Sequence, residues 1–305
     1  MATLIYMADE RIFSGGICDK LSRISLLYLH SRELKANFKI YFDNPFNLQD
    51  YLLPNKYDWF INKGDILYNE NTIAVSSFDY DYAIEKVEGV ENKVVAPSVF
   101  LQTIHELVKN GRYSQILCYF HIPTPNLDEI FRTIFLDLFI PSHNLSNSVT
   151  QNLEKIGHNF IAVHFRFQKL LGDFKENPRV HYTVLDKDAQ KILIKLCIAH
   201  LCEITQNYSN YGMKVLVCSD SSSFLKEAKQ FDFVYVVDGY EKGIKHIGQK
   251  DEEVDCETTL KLFTDLLLMS YAKKIYSVID GEMYPSSFAR TAALIGGTEF
   301  ERKTF

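Results

Sequence analysis

A two-lobed α/β protein is predicted by three features of this sequence. The first is length: 305 residues exceed the roughly 250 to 300 at which a single hydrophobic core stops growing, so two lobes are expected. The second is order. From residue 159 onward, apolar runs of strand length alternate with segments of helical period, the pattern of a parallel sheet with helices on both faces. The third is the opening, where the apolar "TLIYMA" leads through Gly15 and Gly16 into a second strand-turn-helix start. No internal repeat or low-complexity linker interrupts the chain. The clearest break is the polar, turn-forming "PSHNLSNSV" at 141–149, which gives lobes of 1–148 and 149–305.

The elements follow in order. After "TLIYMA", Ile17, Leu21, Ile24 and Tyr28 recur at helical spacing behind the glycine pair, and "FKIYFD" reads as a second strand. A strand, a Gly-rich turn and a helix start point backbone N–H groups and the positive end of a dipole at an anion. Residues 40–150, rich in Tyr, Phe and Asn, read only as α/β. In the second lobe a strand at 159–167 is followed by a helix near 188–207 with Ile192, Leu193, Leu196 and Ala199 as its apolar positions. Then come the strand "KVLVCSD", a short helix near 222–230 and the strand "DFVYVVD". A charged, Gly-containing loop leads to the helix "ETTLKLFTDLLLMSYAK", the strand "KIYSVID" and the helix "SSFARTAALIGG".

Composition excludes several classes. A hydrophobic fraction of 47% with 24% charged residues is that of a soluble globular protein, and the formal net charge of −6 gives no global attraction to nucleic acid or anionic membrane. Any anion-binding site must therefore be local. The start "MATLIYMADE" lacks the basic region of a secretory signal, and no apolar run approaches the ~18 residues of a membrane span. A cytoplasmic protein is expected, with peripheral membrane association left open. Six scattered cysteines without a CxxC pair read as reduced core residues, not as a disulfide frame or zinc site.

The chemistry is expected where strands end in polar residues, since parallel sheets bind ligands beyond the carboxyl ends of their strands. In "VHFRF", His164 and Arg166 would share one face of a strand. A desolvated guanidinium needs either a carboxylate or an anionic ligand. The second strand ends in Ser219 and Asp220, and the third in Asp280 before "GEMYPSSF", where Ser286 or Ser287 can cap the next helix or meet a phosphate. Periodicity by itself places Asp265 on the solvated stripe of its helix.

Four stretches in order, "GGICDKLSRI" (15–24), "VHFR" (163–166), "VLVCSDSSSFL" (215–225) and "DLLLMSYAKKIYSVIDGEMYPSSFARTAALIGG" (265–297), resemble the motifs of the fucosyltransferase superfamily. That group comprises the α-1,2- and α-1,6-fucosyltransferases, the nodulation fucosyltransferase and the protein O-fucosyltransferases. The resemblance implies a GT-B-like fold, two Rossmann-like lobes facing across a cleft, with the nucleotide sugar on the C-terminal lobe and a glycan acceptor on the N-terminal one. It implies a metal-independent, inverting transfer from GDP-fucose, with no cofactor beyond that donor. On the same resemblance Arg166 holds the diphosphate, His164 flanks the nucleoside and Asp265 reads the guanine N–H groups. Ser286 or Ser287 takes the β-phosphate, Ser219 and Asp220 belong to the donor site, and Gly15 and Gly16 close over the diphosphate.

The chain departs from that pattern after Arg166, where Phe167 and Gln168 stand in place of a second arginine and "Gly-Asp" is delayed to Gly172 and Asp173. Lys169 or Lys20 is the candidate substitute for the missing contact. The sequence offers Asp173, Glu176, Asp19 and Asp43 as the base, and Asp173 is preferred because it follows the arginine on the same loop. Another nucleotide-linked sugar, or a nucleotide-binding module without activity, are the alternative readings. The DxD-like Asp79-Tyr80-Asp81 is read as a chance pattern, not a metal site.

Overall fold

Residues 160–165, "FIAVHF", are apolar at almost every position, which suits a strand covered on both faces. In a computed structural model they form the fully buried centre of a parallel sheet. The structure describes residues 1–11, 15–78, 86–122, 126–174, 184–206, 208, 212–239 and 255–305. The chain divides into two units, Met1–Ile140 and Pro141–Phe305.

The first unit contains β1 (Thr3–Ala8), α1 (Ile17–Glu33), β2 (Asn37–Phe42), β3 (Leu52–Pro54), β4 (Thr72–Phe78), β5 (Glu91–Val94), α2 (Phe100–Asn110), β6 (Gln115–His121), α3 (Asp128–Leu138) and β7 (Phe139–Pro141). Five of its strands make a parallel sheet in the order β2-β1-β6-β4-β5, while β3 pairs with β7. The second unit contains α4 (His143–Ile156), β8 (Phe160–Phe165), α5 (Lys187–Gln206), β9 (Lys214–Ser219), α6 (Ser222–Ala228), β10 (Val234–Tyr235), α7 (Cys256–Ser270), β11 (Lys274–Ile279), α8 (Phe288–Gly296) and β12 (Glu299–Thr304). Its sheet is also parallel throughout, in the order β10-β9-β8-β11-β12.

Alternation along β8 sorts its two faces. Ile161, Val163 and Phe165 pack with Leu201 of α5, Phe224 and Leu225 of α6 and Val217 of β9. His164 takes the other face and lies against Phe288, the first residue of α8, with ring centroids 5.4 Å apart. Helices α7 and α8 pack closely enough that a Cβ on Gly296 would stand 2.1 Å from the Ser270 carbonyl oxygen. Glycine is thus required there by contact between backbones.

Three expectations are corrected. "PSHNLSNSV" is not a linker: Ser142 accepts the Leu145 N–H and starts α4, so the 148/149 boundary falls inside a helix of the second unit. Cap residues and loop residues are the same amino acids, which is why the stretch reads as a break. In α5 the core-facing positions are Cys197, Leu201 and Ile204, whereas Ile192 and Leu196 are exposed. The strand expected at 232–238 pairs only over Val234 and Tyr235.

Candidate functional site

Strands β8, β9 and β11 end at one edge, because Phe165 pairs in register with Ser219 on one side and with Val278 on the other. The residues that follow those strands are thereby gathered at the carboxyl edge of the sheet. Asp220, buried just beyond β9, organises the turn after β8. Its Oδ1 accepts the Phe167 N–H at 2.8 Å and its Oδ2 the Gln168 N–H at 2.7 Å. The same Oδ2 lies 3.1 Å from Nη1 of Arg166. Burial pushes the Asp220 carboxyl up, with Arg166 and the two backbone donors pulling against it. Gln168 adopts a left-handed φ of 51°, an uncommon conformation for a non-glycine residue, and its buried Oε1 has no hydrogen-bond partner among the described residues.

Arg166 has a second support that the sequence does not announce: its guanidinium sits 4.3 Å from the centroid of the Phe174 ring. The carbonyl of Arg166 accepts the N–H of Tyr284 at 3.2 Å, which ties the loop after β11 to the turn after β8. At the start of α8 the two serines separate. Ser286 is buried and its Oγ accepts the Phe288 N–H at 3.1 Å, whereas Ser287 is exposed and its side chain makes no capping bond.

Asp265 overturns the periodicity reading, because it is buried and not on a solvated stripe. Its Oδ2 is 2.5 Å from Lys261 Nζ, one helical turn earlier, and its Oδ1 has no partner among the described residues. Burial raises the Asp265 carboxyl against the pull of Lys261. Its charge is felt by Cys218, whose thiol is raised first by burial and then by Asp265, and Cys218 is the in-register neighbour of His164. His164 is itself held neutral: burial, and then the nearby Arg166, bring its pKa down to about 3, and its Nδ1 has no partner among the described residues. Buried polar atoms are usually paired, which sets Asp265 Oδ1 and His164 Nδ1 apart from most of the interior.

Other expected residues are placed elsewhere. Asp173 Oδ2 accepts from Ser221 Oγ at 2.8 Å, Ser222 Oγ at 3.3 Å and the Ser223 N–H at 2.8 Å, which is the work of a cap on α6. Its Oδ1 is buried and has no hydrogen-bond partner among the described residues, so the carboxylate braces the start of α6 with one oxygen and keeps the other open. Ser219 Oγ accepts the Ser221 N–H, and Asp280 is joined to His200 at 2.7 Å. Gly15 and Gly16 belong to the first unit and join β1 to α1, with Gly15 at φ 79° and the Gly16 N–H donating to Asp19. Lys20 is buried in α1, which brings its pKa down to about 7 with help from Arg23. Glu176, Asp79 and Asp81 lie outside the described residues. Among the described residues no group of three or more His, Cys, Asp or Glu side chains gathers as a metal site, and no helix is long and apolar enough to cross a membrane.

Solved structures share this architecture over nearly the whole chain. A GDP complex of Arabidopsis thaliana FUT1 aligns with a TM-score of 0.56 at 10% identity, covering 99% of this chain and 70% of that one. The α-1,6-fucosyltransferase NodZ from Bradyrhizobium, soaked with GDP-fucose, aligns at 0.57 and 14% identity over 96% of this chain and 92% of its own. POFUT1 in complex with GDP-fucose aligns at 0.57 and 11% identity, over 100% of this chain and 97% of its own. The chain has the fucosyltransferase fold. No protein-family model and no curated protein matches the sequence, so the likeness to the fucosyltransferases is carried by structure. That likeness carries the GT-B-like α/β fold.

Lys261 and Phe288 join that cluster although neither was singled out in the sequence. The four-residue spacing of Lys261 and Asp265 was a legible signal. Nothing in the sequence announces Phe174 or Phe288.

Proposed function

We propose that this chain is a glycosyltransferase that moves L-fucose from GDP-fucose to a glycan hydroxyl with inversion. One observation carries the reading: Arg166 is held by Asp220 at the carboxyl edge of the second sheet, beside the start of α8, in a chain with the fold of enzymes solved with GDP and GDP-fucose. In the transfer, the acceptor oxygen bonds to C1 of the sugar as the bond from C1 to the phosphate oxygen breaks. The electron pair leaves with GDP and the hydroxyl proton is lost. Charge therefore grows on the diphosphate, where the Arg166 guanidinium, the Ser287 hydroxyl and the N–H groups that start α8 would meet it. Asp265 Oδ1 suits the guanine N1–H and N2–H donors, and neutral His164 flanks the nucleoside. Gly15 and Gly16 supply the backbone turn of the first unit.

These groups provide positive charge without a metal, so retained turnover in EDTA is expected. The six cysteines are free thiols, which supports a reducing, cytoplasmic setting. The test is a thermal-shift panel of GDP, UDP, ADP and CMP with and without Mg²⁺, followed by GDP release from GDP-fucose and GDP-mannose. Stabilisation by GDP without Mg²⁺, with release from GDP-fucose, is the expected result, because a ligand of the folded state raises its stability. Stabilisation by UDP or CMP in place of GDP would overturn the guanine assignment. GDP binding without release from either sugar nucleotide would leave a binding module.

A further inference from the structure

The first unit carries a cavity of about 320 Å³ at the carboxyl end of β2, outside the strand-end cluster of the second unit. One wall is the end of β2 itself. The facing wall is the segment 59–63, brought alongside when the Ile40 N–H donates to the Trp59 carbonyl at 2.7 Å and Ile40 pairs with Phe60. The turn at Leu48–Asp50 closes the third side.

The polar lining is specific. Asp43 accepts from Tyr41 OH through Oδ2, which leaves Oδ1 for another donor. Asn47 uses Oδ1 to accept the Gln49 N–H, so its amide NH₂ is available. Asn62 donates to Asp65 and keeps its Oδ1. Among the described residues the side chains of Gln49 and Lys63 make no hydrogen bond or ion pair. Half-buried Phe60 adds an aromatic surface, and Trp59 is fixed behind it by donating Nε1–H to the Leu138 carbonyl.

We infer that this cavity is a carbohydrate subsite that holds a neutral sugar unit of the acceptor. Carboxamides present a donor and an acceptor side by side, which matches vicinal hydroxyls, each both donor and acceptor. One carboxylate and one ammonium cancel, so nothing here selects an anion, as a phosphate or nucleic acid would need. An apolar ligand would strand the polar groups. The volume lies at the small end of the roughly 300 to 1,000 Å³ usual for ligand pockets. The inference rests on the transferase reading, since an acceptor sugar is the second substrate that reading requires.

Saturation-transfer NMR on the full chain, with chitotriose, mannotriose and lactose as probes and GDP titrated in parallel, tests it. At least one saccharide is expected to show transfer that is lost in the Gln49→Ala/Asn62→Ala double variant and reduced in Lys63→Ala, while GDP affinity stays at the wild-type value. Transfer that persists in the double variant, or wild-type protein that binds GDP but none of the three saccharides, overturns the subsite. Saccharide transfer lost in the variants from a wild type that binds no GDP would uphold the cavity and defeat the nucleotide-sugar reading instead.

Discussion

The Asp220 carboxylate holds Arg166 and the backbone that follows it at once: Nη1 lies 3.1 Å from Oδ2, and the Phe167 and Gln168 N–H groups donate to the two oxygens. On the proposed reading Asp220 is a positioning residue for the guanidinium. Asp220→Asn turns an NH₂ group toward one of those donors and leaves a buried N–H without an acceptor, at a cost of about 1–3 kcal/mol. A lowered Tm together with weaker GDP binding is expected. Unchanged values of both would show the clamp to be idle.

Arg166→Lys keeps the charge but loses the planar fork and its stacking on Phe174. A fall in turnover of about a hundredfold is expected, the scale of removing one fixed donor from a developing anion. The check is the rate of GDP release from GDP-fucose at saturating donor, with far-UV circular dichroism to confirm the fold.

His164 makes stability depend on pH with a definite sign. Its pKa falls from an ordinary 6.5 to about 3 on folding, first through burial. Between those values the unfolded chain binds a proton that the folded chain refuses, so stability rises with pH across that window and is lost as pH falls. The slope from one such group is at most about 1.4 kcal/mol per pH unit. Urea unfolding between pH 4 and 7 should show a shallower acid loss in His164→Asn than in the wild type.

Gly296→Ala places a Cβ 2.1 Å from the Ser270 carbonyl oxygen. Helices α7 and α8 must then separate, and about 1–3 kcal/mol of stability should be lost, the range for overpacking a close contact. A melting curve measures it, and a wild-type Tm would show that the helices yield without strain.

Much of the second unit was legible because its strands are short apolar runs that end in polar residues, as "FIAVHF" and "KVLVCS" do. Asp265 was misread because its helix carries leucines on several sides, so its period alone cannot say that Asp265 and Lys261 face inward together. The bracing of α6 by Asp173 has no local signal, because only the folded positions of Ser221 to Ser223 bring their donors to that carboxylate. Strands β4 and β6 were not resolved individually, since the aromatic, Asn-rich stretch around them lacks a clean period. The register that brings Phe165, Ser219 and Val278 to one edge is a tertiary fact with no local signal.

The close approach of Gly296 to Ser270 joins α7 and α8 into one bar, with Asp265 along one helix and Ser287 at the start of the other. On the proposed reading that bar is a ruler: it sets how far the carboxylate that meets the base stands from the hydroxyl that meets a phosphate.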